Sequence, residues 1–422
     1  MYRRKGIWKR RPGKLILLLV IGFDFASACS AQLKLSLDDA IKQALQSRAS
    51  LKAEGERILA AQGLKRQASL RANPEFLFQN ENLRPGQTYT RDVDTVAYVT
   101  QPLDILGKRA RRISVAEEGI GRTQAEYDLA KVHLIDSIKL AYWTARGAQA
   151  THDVLEASVA NFQRTVDYHA ARLSVGAIAE QDFLRVRLES ERLKISANLA
   201  AIEANRAVMA LLKEMGQPAR TGVVLTEPLE PPGAFTQTPL DAALAQRTEI
   251  KLARAELAEA ESKERLEAVA ARSDLSMFAG YKRTQLPDTT YGVNTIIAGF
   301  QITLPVINKN QGNREAAEAE VRRRQQLLAA VETDVRAEYQ SSLQDYQMRR
   351  DEAITTLEPL RQEAANLAQI ATAAYAEGGT DLLRLLDAER ARIDADLAWA
   401  RGMSEYHQSI VRLEAAEGVS QQ

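Results

Sequence analysis

Most of the chain consists of two copies, each about 200 residues long, in which similar segments follow one another in the same order. This internal repeat limits the folds that the chain can adopt. The first copy covers 32–217 and the second covers 239–417, followed by a short tail at 418–422. An extended, proline-rich linker at 218–238 separates the copies. Each copy predicts a helix, two strands, a very long helix, a glycine turn and a returning helix.

The helices dominate both copies, and six of them are predicted. They lie near 36–70, 108–173, 180–215, 239–271, 313–376 and 381–417. The two long helices would each extend about 90–100 Å. Apolar residues recur along them at three- and four-residue spacing, as at Leu155, Val159 and Phe162, which makes a seam for a neighbouring helix. Glycines near 176 and 378 predict left-handed caps where the chain reverses.

Four short segments alternate partly between apolar and polar residues and predict strands. They lie near 74–82, 93–101, 274–283 and 292–303. Their length suits tilted strands that cross a bilayer. Four strands cannot close a conducting barrel, and an open sheet would leave unpaired backbone groups in lipid. Three copies would give a closed barrel of twelve strands. The alternative is a pair of soluble hairpins that cap a helical bundle.

The N-terminal 31 residues predict a secretory signal peptide. A basic stretch precedes the apolar run Leu15–Phe23, and small residues follow it. The alternative is an interfacial anchor. Cys29, the one cysteine, has two interpretations: it is the acylated residue of a lipoprotein cut just before it, or ordinary signal peptidase cuts after Ala28 or Ala31. The segment before Cys29 is an imperfect lipoprotein signal, because Ala26 replaces the usual leucine. No later apolar run is long enough for a transmembrane helix.

Composition and motifs argue against several other functions. The chain has 56 basic and 55 acidic residues, which gives no reason to expect a nucleic-acid partner. One cysteine excludes an intrachain disulfide, and four scattered histidines predict no metal site. No phosphate-binding loop, GxSxG, HExxH or CxxC motif is present. The sequence therefore predicts neither an enzyme nor a bound cofactor.

Four groups of residues carry a family resemblance. They are the repeat openings Leu37-Asp38-Asp39-Ala40 and Leu240-Asp241-Ala242-Ala243, the segment Asn73-Pro74-Glu75, the helix entry from Gln101 to Arg109, and the segment from Tyr375 to Leu383 with Asp387-Ala388-Glu389. With these motifs, nearly all of 33–417 resembles the outer-membrane efflux family whose best-known member is TolC. The helix entry Gly107-Lys108-Arg109, with Arg112, is similar to the branch that serves cobalt–zinc–cadmium-type pumps.

The resemblance implies a mainly α protein with a small β part and a specific assembly. A homotrimer would place a twelve-stranded β-barrel among outer-membrane lipids of a Gram-negative bacterium, with an α-barrel extending far into the periplasm. The partners would be a periplasmic adaptor, or membrane fusion protein, and an inner-membrane pump of the resistance–nodulation–division (RND) type. The branch implies divalent metal cations as the exported solutes. The alternative function is a periplasmic coiled-coil scaffold or adaptor without a pore.

Charged residues just beyond the second glycine turn are candidates for a periplasmic gate. Asp381, Arg384 and Asp387 lie within two helical turns of that glycine, and Asp182 and Arg185 are their counterparts in the first copy. Threefold symmetry would turn an inward carboxylate into a ring of three, which attracts cations. The alternative is that Asp381 and Arg384, at i, i+3 spacing, form a surface ion pair.

The glycine turns themselves are candidates for adaptor docking. Gly176 in the first copy and Gly378 with Gly379 in the second would lie at the ends of the long helices, far from the strands. We expect these turns to receive the helical tip of the adaptor.

Overall fold

A computed structural model describes residues 33–86, 88, 93–233, 235–286 and 292–419. The predicted signal peptide, Cys29 and residues 420–422 of the tail lie outside these ranges. The strands are β1 (Leu33–Leu35), β2 (Glu75–Glu81), β3 (Asp94–Leu103), β4 (Val223–Leu225), β5 (Leu275–Thr284) and β6 (Val293–Ile302). The helices are α1 (Leu37–Ser47), α2 (Ala49–Ser69), α3 (Lys108–Ser174), α4 (Glu180–Glu214), α5 (Leu240–Gln246), α6 (Thr248–Ala270), α7 (Gln311–Asp351), α8 (Glu358–Ala376) and α9 (Leu382–Glu417).

The four long strands form one antiparallel sheet in the order β2-β3-β5-β6. Each strand lies within two residues of its predicted ends. The helices attached to the strands, α2, α3, α6 and α7, pack side by side in the same order. Within the described chain, the outer strands β2 and β6 have no further strand on their outer sides.

The two faces of this sheet differ in chemistry, because side chains alternate along each strand. One face carries exposed apolar side chains from all four strands, among them Phe76, Val99, Met277, Ile296 and Phe300. The opposite face carries most of the charged and amide side chains, among them Glu75, Gln79, Asp94 and Lys282. An apolar face of this kind is what a membrane-spanning sheet presents to lipid.

The helices predicted at 36–70 and 239–271 are each broken once, at Arg48 and at Arg247, where the backbone becomes extended. The prediction of two unbroken helices was therefore wrong. The Arg48 guanidinium donates to the carbonyl of Lys213 at 2.5 Å, and that of Arg247 donates to the carbonyl of Ala415 at 2.9 Å. Each break thus places an arginine at the C-terminal end of the returning helix of the same copy, where a cation is stabilising.

A two-stranded parallel sheet, which sequence analysis missed, ties the start of the first copy to the linker. Leu33–Leu35 pairs in register with Val223–Leu225, inside the segment predicted to be extended. The Leu35 carbonyl accepts a hydrogen bond from the Tyr142 hydroxyl at 3.0 Å. Leu35 and Tyr142 belong to the largest apolar cluster, which α1, α3, α4 and α9 build around the middle of α3.

The second long helix is not continuous, in contrast to the prediction for 313–376. A π-helical segment, Glu352–Leu357, separates α7 from α8. It lies directly before Pro359, which has no N–H and cannot join a regular helical ladder. Leu357 fills a space beside Gly402 of α9 in which no Cβ atom would fit.

Farther from the four-stranded sheet than the π-helical segment, α3, α4, α8 and α9 pack around a second apolar cluster. This cluster includes Phe162, Val186, Leu386 and Ile393. The two helical hairpins end together at this side of the molecule, opposite the four-stranded sheet. Among the helices of residues 33–419 that the structure describes, none is both long and apolar enough to cross a membrane.

Candidate functional site at the helical tips

Both hairpin turns are closed by glycine in the left-handed conformation. Gly176 has φ of 69° and Gly378 has φ of 75°, values that L side chains rarely adopt. In the first turn the Ala177 N–H donates to the Arg172 carbonyl at 2.8 Å, and in the second the Gly379 N–H donates to the Ala374 carbonyl at 2.8 Å. These bonds satisfy carbonyls at the two helix ends. A Cβ atom at Gly176 or Gly378 would meet nothing within 4 Å, so both turns face open space.

The three gate candidates of the second tip have different surroundings. Asp381 is the N-cap of α9, and its carboxylate accepts the backbone N–H of Arg384 at 2.9 Å. Among the described residues no ion pair joins the Asp381 and Arg384 side chains, so the predicted surface pair is replaced by a helix cap. The Asp387 side chain is 61% exposed, and its carboxylate lies 3.7 Å from Arg390. Of the two carboxylates at this tip, Asp387 is therefore the less constrained.

The first-tip candidates lie in the first two turns of α4. Asp182 is half-buried and Arg185 is exposed. Asp182 is close enough to Tyr375 of α8 to influence its hydroxyl. Burial raises the pKa of Tyr375, the nearby Arg172 cation opposes this rise, and the Asp182 charge adds to it. The structure therefore places Asp182, at the tip of the first hairpin, near the C-terminal end of α8 in the second hairpin.

A buried histidine, which sequence analysis did not single out, joins the two hairpins near their tips. His169 of α3 has no exposed surface. Its Nδ1 lies 2.8 Å from the Thr165 carbonyl, and its Nε2 lies 2.9 Å from the Tyr375 hydroxyl. His169 continues the apolar seam of Leu155, Val159, Phe162 and Val166 at the same spacing. In the sequence, a single polar residue at a position of this apolar repeat was the signal that could have identified His169.

A second link joins the two returning helices one turn above the Asp387 level. Glu189 of α4 is 8% exposed, and its two carboxylate oxygens accept hydrogen bonds from Arg390 of α9 at 2.9 and 2.5 Å. Hydrogen bonding from Arg390 is the main cause that holds the pKa of Glu189 below its usual value. Arg192 approaches the same carboxylate at 3.6 Å. In the sequence, a charged residue on the buried side of α4 was again the signal that could have identified Glu189.

Within the described residues, no group of three or more histidine, cysteine, aspartate or glutamate side chains could hold a metal ion. The polar groups at the tips make a helix cap, inter-helix hydrogen bonds and ion pairs.

The sequence model of the family described as outer membrane efflux protein matches residues 40–217 and 240–419, which are the two structural copies. The chain belongs to the outer membrane efflux protein family. Membership confirms the resemblance seen in the sequence. It identifies an outer-membrane efflux channel subunit and not an enzyme.

Two proteins related to this chain match most of its length at low sequence identity. The "Cobalt-zinc-cadmium resistance protein CzcC" of Cupriavidus metallidurans is 22% identical over 389 residues, which cover 91% of this chain and 90% of the relative. The "Cation efflux system protein CusC" of Escherichia coli (strain K12) is 22% identical over 343 residues, which cover 77% and 73%. The matches therefore extend through both copies.

A solved structure of the outer membrane protein VceC from Vibrio cholerae has the same fold. The two structures superpose with a TM-score of 0.71 at 20% sequence identity, covering 90% of this chain and 96% of that chain. This likeness confirms the predicted fold class, a mainly α efflux-channel fold with a small β part.

Proposed function

We propose that three copies of this chain form one duct, with a closed twelve-stranded barrel in the outer membrane and a helical tunnel in the periplasm. The observation that carries this proposal is the four-stranded sheet, which has one apolar face and, within the part of the chain that the structure describes, two edges without a neighbouring strand. Edges of this kind are too costly to leave unpaired in lipid. Pairing β2 of one copy with β6 of the next would satisfy both edges, and three copies close the ring.

Exposed apolar residues on the lower helices support contacts between copies. On α4 they recur at three-, four- and seven-residue spacing, at Leu184, Leu188, Ile195, Leu199 and Ile202. A shorter row on α8 comprises Leu360, Leu367 and Ile370. Apolar rows at this spacing are seams for neighbouring helices. We propose that the row on α8 packs against the row on α4 of the adjacent copy.

The proposed tunnel also defines the partners. The 67 residues of α3 alone extend about 100 Å. A duct of that length would carry its tips across much of the periplasm. There, a periplasmic adaptor would engage the turns at Gly176, Gly378 and Gly379, and an inner-membrane pump of the RND type would complete the assembly. The duct would contribute a path and a gate, and the pump would supply the energy.

Divalent metal cations are the proposed solutes, because the two relatives named above carry cobalt–zinc–cadmium resistance and cation efflux in their names. The exposed carboxylate of Asp387 fits this proposal. Repeated three times around an axis, it would attract cations. Asp381 is used as a helix cap, so Asp387 is the better candidate for such a ring.

A fractionation experiment tests the duct. The account predicts that the protein is recovered with the outer membrane and migrates differently in electrophoresis before and after heating, because a folded barrel resists detergent. A chain recovered from the soluble periplasm, with migration that does not depend on heating, would instead support a helical scaffold without a pore.

Replacing Asp387 with asparagine should reduce the cation preference of the reconstituted channel. Three carboxylates would be lost from the proposed ring, while the size of the side chain stays the same. The measurement is the reversal potential across a planar bilayer under a salt gradient. Asp153→Asn is the control, because the Asp153 side chain is also exposed, at 67%, but lies on α3 only about one-third of the way from Tyr142 to the tip. Equal reversal potentials for Asp387→Asn and the native channel would exclude the ring.

Replacing Gly378 with tryptophan should abolish export while leaving the trimer intact, since a large side chain would occupy the proposed docking surface. Gly378→Asn is the matched control, because asparagine tolerates positive φ and thus separates backbone strain from bulk. Metal resistance of cells and cross-linking to the adaptor are the measurements. Normal resistance with Gly378→Trp would refute docking at this turn.

A further inference from the structure

The short strand β1 fixes the position of the chain immediately after Cys29. The Leu33 N–H donates to the Gly222 carbonyl at 3.1 Å, and the Leu35 carbonyl accepts from the Thr226 N–H at 3.2 Å and the Tyr142 hydroxyl at 3.0 Å. Leu35 itself is 1% exposed. This end of the chain is therefore part of the central core.

That core lies far from the membrane-spanning sheet. Tyr142 is the 35th residue of α3, 34 residues after Lys108, where the helix leaves the sheet. At 1.5 Å per residue the separation along the helix is about 51 Å. In the opposite direction, Ser174 lies 32 residues beyond Tyr142, which is about 48 Å. The start of β1 is thus near the middle of the helical part.

Cys29 cannot cover that distance. Leu33 is the fourth residue after Cys29, and four residue steps of fully extended chain reach about 14 Å. Detaching β1 would not suffice, because α1 begins at Leu37 and eight extended residues reach about 28 Å. Helix α1 is itself held in the core, since Ala40 and Ala44 have no exposed surface.

We infer that Cys29 carries no membrane-inserted acyl chain and that ordinary signal peptidase produces the mature chain, by cutting after Ala28 or Ala31. An acyl chain on Cys29 would have to leave the bilayer or pull β1 and α1 out of the core. This inference rests on the proposed function, because it takes the four-stranded sheet as the part that crosses the outer membrane. The sheet is then the only membrane anchor required of the described chain.

The intact mass of protein extracted from the outer-membrane fraction tests the inference, together with the mass of its N-terminal peptide. We expect an unacylated chain that begins at Cys29 or at Gln32. The Cys29→Ser variant should be recovered from the outer membrane in equal amount. A diacylglyceryl group on Cys29, or loss of outer-membrane recovery in Cys29→Ser, would overturn the inference. Recovery of the native protein only from soluble fractions would instead refute the proposed duct.

A variant forced along the lipoprotein route gives a second test. Ala26→Leu completes the lipoprotein signal, and clones are selected for incorporation of labelled palmitate. The acylated variant should yield less trimer than the native chain. A Gly/Ser spacer of about 30 residues inserted after Ser30 should restore the yield, because its extended length exceeds the 51 Å estimated from the helical rise. Full trimer yield from the acylated variant without a spacer would contradict the distance argument.

Discussion

Replacing Arg247 with methionine should lower the free energy of unfolding by about 1–3 kcal/mol, the usual cost of removing a hydrogen-bond partner from polar groups that are largely out of water. The Arg247 side chain is 4% exposed. It binds both oxygens of Glu249 at 2.8 and 2.9 Å, Glu338 at 2.7 Å and the Ala415 carbonyl at 2.9 Å. Methionine keeps most of the apolar stem but removes every hydrogen bond that the Arg247 guanidinium donates to Glu249, Glu338 and Ala415. Thermal unfolding of the detergent-extracted protein, followed by circular dichroism, measures the loss.

Arg254→Met is the control for Arg247→Met, because Arg254 lies two turns away on the same helix and its side chain is 59% exposed. It lies 3.7 Å from Glu332, so it is a surface pair worth about 0–1 kcal/mol. Equal unfolding midpoints for the two variants would show that the Arg247 network does not stabilise the protein.

Replacing Arg390 with methionine should open the proposed gate. Glu189 would keep its buried carboxylate but lose the two hydrogen bonds that hold α9 against α4. Because 44% of the Arg390 side chain is exposed, we expect a modest cost of about 1–3 kcal/mol, which is roughly a 5- to 150-fold shift in an opening equilibrium. Single-channel recording would show a higher open fraction.

Two variants control for Arg390→Met. Arg192→Met removes a cation that is 74% exposed and 3.6 Å from the same carboxylate, and it should change the open fraction little. Adding Glu189→Gln to Arg390→Met removes the unpaired charge and should recover part of the closed fraction. An open fraction in Arg390→Met equal to that of the native channel would exclude the Glu189–Arg390 pair as a gate contact.

The same pair gives the native channel a pH dependence. The pKa of Glu189 in the folded protein lies below its unfolded value of 4.5. The stabilisation is therefore fully present above about pH 4.5 and is lost as the pH falls through the folded pKa. Acidification below about pH 4.5 should raise the open fraction of the native channel, and it should have less effect on the double variant, which lacks the titrating group.

The fold was predictable where one periodicity held over many residues. The four strands and the lengths of α3 and α4 follow from spacing alone, and the turns at Gly176 and Gly378 follow from glycine after a helix. The breaks at Arg48 and Arg247 were missed because arginine is a good helix former. Only its distant partners, the carbonyls of Lys213 and Ala415, reveal why the chain turns there.

Other features depend on contacts between segments far apart in sequence. The strands β1 and β4 have three residues each and exist through pairing across 190 positions. The His169–Tyr375 and Glu189–Arg390 links each span more than 200 positions. A polar residue on an apolar seam marks such sites, but the sequence does not identify the partner. The backbone N–H of Arg384 donates to the Asp381 carboxylate, so the two residues are in contact through a helix cap. Their spacing in the sequence could not distinguish this cap from an ion pair between the side chains.

The central claim is that three copies close the barrel, and the mass of the assembly tests it most directly. The protein would be extracted in detergent from the outer-membrane fraction and measured by light scattering, with the detergent contribution subtracted. Because one full chain has a mass of 46.7 kDa, the account predicts three times the mass of the processed chain. A water-soluble monomer or dimer would contradict the closed barrel and leave a periplasmic helical scaffold in its place.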